Sequence, residues 1–196
     1  MTIQTRRERE RAERERLIVT AARDLAEAEG WDAVTTRRLA AEIEYSQPVL
    51  YSHFKGKDAI MAAVAVRGCE EFTDELRAAT AVAEGARETL AAVGRAYTAF
   101  GRRRPALYDA MFTHRVDLPF ATPEAPAALQ EAFAELLRAV EPFAAEDEDP
   151  ALLTETFWAG LHGLVTLMRS GRLPEQAHDQ RLALLIGRFA PRDSVR

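Results

Sequence analysis

The residues best suited to chemistry lie between positions 35 and 57, and the chemistry is recognition rather than bond-making. Thr35, Thr36 and Arg37, followed by Gln47, Pro48, Val49, Tyr51, His53 and Lys57, interleave hydroxyl, guanidinium, amide, apolar, imidazole and ammonium groups. Amides and guanidinium groups pair with base edges in the major groove of duplex DNA, and an apolar contact detects the thymine methyl. Tyr, His, Thr and Lys side chains hold phosphates and set the register. Between these polar positions, Leu39, Ala40, Ile43, Leu50 and Phe54 have the spacing to pack two short helices onto a third that carries Ile18, Ala22 and Leu25. Thr35 can cap the first short helix, through about Ile43. Ser46 can cap the second, through about Phe54, with Pro48 tolerated in its first turn. Two short helices joined by a tight turn form a helix-turn-helix, whose second helix enters the major groove.

A second cluster runs from Thr154 to Ser170. It holds Phe157, Trp158, Leu161, His162, Leu164, Val165 and Met168, with Gly160 and Gly163 among them. Trp158 and His162, four apart, share a helix face. Each helical glycine costs about 1 kcal/mol relative to alanine, and close approach of another helix would offset that cost. Tyr97, Phe100, Tyr108, Met111, Phe112, Phe133 and Trp158 can line an apolar pocket with His162 as its polar anchor, or they can simply form a core. Catalysis and metal binding find little support. His53, His114, His162 and His178 lack metal-ligand spacing, and Cys69 is the single cysteine. No nucleophile–base pair, phosphate loop or carboxylate dyad stands out. The reading is of a protein that is not an enzyme and takes no cofactor and no metal.

Bulk properties are compatible with this. The 196 residues are 47% hydrophobic, enough for a sizeable core. No stretch approaches the roughly 20 apolar residues of a membrane span. One cysteine permits no internal disulfide, and a cytoplasmic location is expected. The formal charge of -5 does not fall evenly. Residues 1–58 hold 11 basic and 11 acidic side chains, and residues 59–196 hold 15 and 20. The first part is thus neutral overall and can present a basic face, with the only two lysines, Lys55 and Lys57, close together.

The elements that must position these groups all read as helices, since Ala, Leu, Glu and Arg dominate and strand-like alternation is nearly absent. Residues 6–16 are a mixed-charge run, read as a solvated helical extension or frayed arm. An amphipathic helix from Leu17 ends at Gly30, and a long one starts near Lys57-Asp58. Further stretches fall near 84–103, 105–113, 124–142, 151–170 and 176–189, separated by Gly and Pro positions and by the acidic loop 146–150. The expectation is an all-α protein of about nine helices. A three-helix DNA-binding domain with its arm spans 1–58, and a larger helical ligand-binding and dimerisation domain spans 59–196.

From about Arg16 to Phe72, and above all along TTRRLA…SQPVLYSHFKGK, the sequence resembles the tetracycline repressor (TetR) family. The resemblance implies that Arg37, Gln47 and Pro48 read bases, and that Thr35, Thr36, Tyr51, His53 and Lys57 contact phosphate. Val49 would make an apolar base contact. Trp158-x-x-x-His162-Gly163 and Pro105-Ala106-Leu107-Tyr108-x-x-Met111-Phe112 resemble one C-terminal subgroup of that family. The family further implies a homodimer through the last two long helices, a palindromic operator in double-stranded DNA, and release by a small, largely apolar effector. Repression is its usual outcome. One departure stands in the turn: the family's glycine is replaced by Glu44, at a cost of about 1 kcal/mol for a non-glycine residue in a left-handed turn. That acid leaves a second reading open, a ligand-binding helical protein with weakened or lost DNA binding.

Overall fold

The computed structural model describes residues 3–190 except 117 and 121, with side chains from Arg6 onward. Nine α-helices are found among the described residues: α1 (Ile3–Glu29), α2 (Thr36–Glu42), α3 (Gln47–His53), α4 (Lys57–Thr80), α5 (Ala86–Arg103), α6 (Pro105–Phe112), α7 (Ala127–Val140), α8 (Pro150–Arg169) and α9 (His178–Phe189). Single 3₁₀ turns at Trp31–Ala33, Glu141–Phe143 and Glu175–Ala177 link some of them. The chain divides into two compact units. One comprises residues 1–68 and 104–126, the other residues 69–103 and 127–196, and α4 contributes to both.

In the first unit, the apolar stripe of α1 folds against α2 and α3. Ile18, Ala22, Leu39, Ala40 and Leu50 are buried, while Ile43 and Phe54 are half-buried. The charged run that precedes this stripe is helix as well, continuous with α1. Arg6–Glu10 and Arg11–Glu15 pairs span one turn each, at 2.8 and 2.9 Å. Such exposed pairs contribute only about 0.3–0.5 kcal/mol, so strong helix formers continuing an anchored helix explain the extension better. Gly30 ends α1 at φ 84°, a left-handed conformation that glycine adopts without a Cβ penalty. The α6 segment belongs to this unit because α1 caps it. The carboxylate of Glu27 accepts hydrogen bonds from the backbone N–H groups of Ala106 and Leu107, at 3.1 and 2.9 Å. These are donors in the first turn of α6 that have no partner within the helix. The indole N–H of Trp31 donates to the Ala106 carbonyl at 2.8 Å. On its other side α6 packs on α4 at Gly68, where a Cβ would lie 2.7 Å from the Met111 sulfur.

The second unit is a helical bundle of α5, α7, α8 and α9 with the C-terminal part of α4. Leu90, Val93, Tyr97, Phe100, Val140, Phe157, Leu161 and Val165 are completely buried. Asp149 caps α8, accepting from the Ala151 N–H at 2.9 Å. Gly160 answers the question its helical position raised: a Cβ there would lie 2.9 Å from a Leu185 methyl, so α9 approaches α8 closely. Gly163 has open space instead. Glu135 is buried but paired, accepting from Arg77 Nε and Arg138 Nη1, each at 2.5 Å, as a buried carboxylate requires.

Candidate nucleic-acid interface

The turn that aims α3 is built by α2. Thr35 caps α2 as its spacing implied, accepting from the Arg38 N–H at 3.2 Å. At the other end the Tyr45 N–H donates to the Ala40 carbonyl at 2.8 Å and the Glu44 N–H to the Ala41 carbonyl at 3.3 Å. This paired closure of a helix C-terminus needs a left-handed residue just past the end, and Glu44 supplies it at φ 56°. Ser46 occupies the N-cap position of α3, but its side chain makes no capping bond, contrary to the expectation from sequence. Pro48 sits in the first turn of α3, where its missing N–H costs nothing.

Leu50 is the buried anchor of α3, and its opposite face is open. Thr35, Arg37, Gln47, Pro48 and Tyr51 are exposed, with Thr36, Val49 and Lys57 half-buried. Tyr51 is 53% exposed, and its hydroxyl lies 3.3 Å from the Thr36 hydroxyl. That contact ties the first turn of α2 to the middle of α3. Arg37 and Gln47 have no side-chain partner among the described residues. Adjacent Arg38 is already engaged: its guanidinium forms a fork with both carboxylate oxygens of Glu29, which holds the Glu29 carboxyl below its ordinary value. The Lys57 ammonium donates one bond to the Trp31 carbonyl and keeps two further donors.

His53 departs from this outward set. Its side chain is only 6% exposed, and Nδ1 lies 3.2 Å from Oε1 of Glu15 in the α1 extension. Burial alone would raise the Glu15 carboxyl; hydrogen bonds from Arg11 and His53 outweigh it and hold the group below its ordinary value. Neither Glu15 nor Glu27 stood out in the sequence. A signal existed for Glu15, since positions 15, 18, 22 and 25 step by three, four and three along one helix face.

The eight candidate ligand residues divide between the units. Tyr97, Phe100, Phe133, Trp158 and His162 lie in the second; Tyr108, Met111 and Phe112 lie in the first. Tyr97 and Phe100 are fully buried against Phe72, with ring centroids 5.5 and 5.2 Å away. The Trp158 indole donates to the Tyr97 hydroxyl at 2.9 Å, and His162 Nε2 lies 3.4 Å from the Thr166 hydroxyl. Tyr108 and Phe112 stack edge-on at 5.0 Å. A cleft of about 470 Å³ between α5 and α9 is lined by Arg87, Arg95, Asp179, Leu182 and Ile186 among others, and by none of these eight. Among the described residues no His, Cys, Asp or Glu cluster has metal-binding geometry, and no helix is long and apolar enough to cross a membrane.

Comparison with known proteins agrees with this geometry. Residues 18–64 match the family described as bacterial regulatory proteins, tetR family, and residues 90–189 match the tetracyclin repressor-like C-terminal domain. The chain is similar to the HTH-type transcriptional regulator Rv0681 of Mycobacterium tuberculosis. Identity is 29% over 154 residues, or 79% of this chain and 69% of that protein. It is 44% identical over 48 residues to the class A tetracycline repressor from transposon 1721 of Escherichia coli, 24% of this chain and 22% of that one. Among solved structures, a protein of unknown function from Rhodococcus sp. RHA1 superposes with a TM-score of 0.73 at 25% identity, covering 89% of this chain and 92% of that one. A TetR family transcription regulator from Marinobacter aquaeolei VT8 shares the fold, with a TM-score of 0.66 at 21% identity over 91% of this chain and 96% of that one.

Proposed function

This chain belongs to the TetR family of DNA-binding transcriptional regulators, and from that premise we propose that it binds a palindromic operator as a homodimer and is released by a small, largely apolar effector. The observation that carries the operator reading is the open face of α2 and α3, polar above a buried Leu39 and Leu50. In this reading Arg37, Gln47 and Pro48 meet base edges and Val49 a thymine methyl. Thr35, Thr36, Tyr51 and Lys57 hold phosphates, and His53 joins them once it is free of Glu15. Glu44 adopts the left-handed turn that glycine would supply, which favours operator binding over a ligand-binding protein that has lost DNA.

Dimerisation is supported by an unpartnered stripe on the last two helices. Leu152, Thr156, Ala159, Gly163 and Leu167 follow one another by four, three, four and four on α8. Leu152, Leu167 and, on α9, Leu184 are 62%, 41% and 67% exposed. A second copy would cover these leucines, and the space over Gly163 lets its helix approach. The effector reading rests on the aromatic set around Tyr97 and Trp158 and on the resemblance of Trp158-x-x-x-His162-Gly163 to one C-terminal subgroup. An effector acts only through its differential affinity for the DNA-competent and incompetent conformations. Repression follows if the operator overlaps a promoter.

Selection of bound duplexes from a random pool, repeated with candidate apolar ligands, tests the three parts together. The expected product is a two-fold symmetric consensus with half-sites roughly 34 Å apart, lost when an effector is added. An asymmetric single half-site would sink the dimer reading, and an empty pool would sink operator binding.

A further inference from the structure

His53 stands at the C-terminal end of α3 among residue types that hold DNA phosphates, yet its imidazole is turned to Glu15. Glu15 lies in the part of α1 that precedes Ile18, the first buried apolar residue among those described on that helix. It continues the stripe of Ile18, Ala22 and Leu25 by one step. Where the stripe runs past the three-helix core, a carboxylate replaces the aliphatic side chain and meets the imidazole. The same oxygen, Oε1, also accepts from Arg11 Nε at 2.9 Å, so the carboxylate is held from one turn further along α1.

We propose that Glu15 is a positioning residue that occupies His53 in the DNA-free protein in place of a DNA phosphate, so that the α1 extension sets how tightly α3 engages DNA. A carboxylate and a phosphate are both anionic acceptors for one imidazole donor. In a neutral ring that donates Nδ1–H to Glu15, Nε2 is an acceptor and cannot bond a phosphate. DNA binding must therefore displace Glu15, protonate the ring, or proceed without this contact. The displaced carboxylate would also stand near phosphates of the same sign. The proposal rests on the DNA-binding reading and adds to it a residue outside the helix-turn-helix.

The test uses the full chain and a duplex obtained by selection, with affinity followed by fluorescence anisotropy across a salt series. Glu15→Ala is expected to bind about 2- to 30-fold more tightly, the range for freeing one weak ion pair in each of two subunits. Its plot of log affinity against log salt should steepen, by up to about 0.9 per subunit where the freed His53 meets a phosphate as the imidazolium. In a His53→Ala background the same substitution should have a clearly smaller effect on both quantities, limited to the removed carboxylate charge. Equal tightening in both backgrounds would assign the effect to released Arg11 or to general charge, and the proposal would fall. Unchanged or weaker binding would overturn it as well. Glu15→Gln, which keeps the side chain's bulk, guards against loosening of α1: it should shift affinity in the same direction by less, and weakening by both variants refutes the idea. If the unaltered protein selects no duplex, the operator reading itself fails, an outcome distinct from all of these.

Discussion

Replacing Glu44 by glycine should stabilise the first unit, and the size of the gain can be worked from the backbone. Glu44 is the one non-glycine residue with positive φ among those described, at 56°, and its N–H and that of Tyr45 close the C-terminus of α2. An L-residue in this conformation costs about 1–2 kcal/mol, and glycine gives back about 0.5–1 kcal/mol through its freer unfolded chain. Glu44→Gly is therefore expected to gain about 0.5–1 kcal/mol. Glu44→Ala keeps the left-handed strain and should stay within about 0.5 kcal/mol of the unaltered protein. The two variants separate backbone from charge, since both remove the exposed carboxylate beside α3 and both should tighten DNA binding by similar factors. Trp31 is buried in the first unit and Trp158 lies in the second, so in a Trp158→Phe background Trp31 fluorescence reports the first unit during urea unfolding. The expected result is a higher midpoint for Gly alone with an unchanged slope. If Ala stabilises as much as Gly, the carboxylate rather than the backbone carries the cost. If Gly stabilises not at all, the turn holds no strain and the reasoning is wrong.

Other perturbations follow from the same geometry. Glu27→Ala leaves two N–H groups at the start of α6 without their acceptor and should cost about 1–3 kcal/mol by chemical denaturation; Glu27→Gln, which retains an oxygen acceptor, should recover part of it. Leu184→Arg places charge on the exposed face of α9, and sedimentation should find the variant shifted toward monomer with its helical content intact. Burial, with a smaller contribution from Glu70, pushes the Cys69 thiol up to about 12, so at pH 8 it should resist alkylation until the protein unfolds. His178 is buried with Nδ1 unpartnered and Nε2 3.2 Å from the Thr98 hydroxyl. Its pKa lies below the ordinary 6.5, first through burial and then through Arg102. The unfolded chain therefore takes up a proton that the folded one refuses, and stability should fall as pH drops below about 6.5. His178→Gln should flatten that part of the profile.

The helices were legible because their ends carry local chemistry. Thr35 caps α2, Gly30 stops α1, and the Gly and Pro breaks fall at α5, α6 and α8 within a residue or two of the expected places. Ser46 shows the limit of such reading, since a capping residue type does not guarantee a capping bond. The extension of α1 was ambiguous because a run of alternating Arg and Glu has no apolar stripe, and whether it is helix depends on the anchored segment beside it. The association of α6 with α1 was hidden for a different reason. Glu27 and Ala106 are 79 residues apart, and no periodicity links a carboxylate in one helix to the open first turn of another.

The DNA-facing set was legible for the reason that makes His53 instructive. Groove recognition uses side chains that no core demands, so Gln47, Pro48 and Tyr51 stand out as exposed residues outside the apolar stripe. His53 looked the same by type and spacing, and its burial against Glu15 depends on the register of a helix that begins some fifty residues earlier. A residue's chemistry is thus readable locally, while its availability is set by whichever distant group reaches it first. The same distinction governs the aromatic set, whose members can look alike by type yet lie in different compact units. The Trp158 indole donates to the Tyr97 hydroxyl, so an effector that enters beside them must either leave that hydrogen bond intact or replace it. Trp158→Phe separates these cases. It removes the indole donor and little of the bulk, and an effector that replaces that bond should bind the variant more tightly while one that relies on the intact pair binds it less.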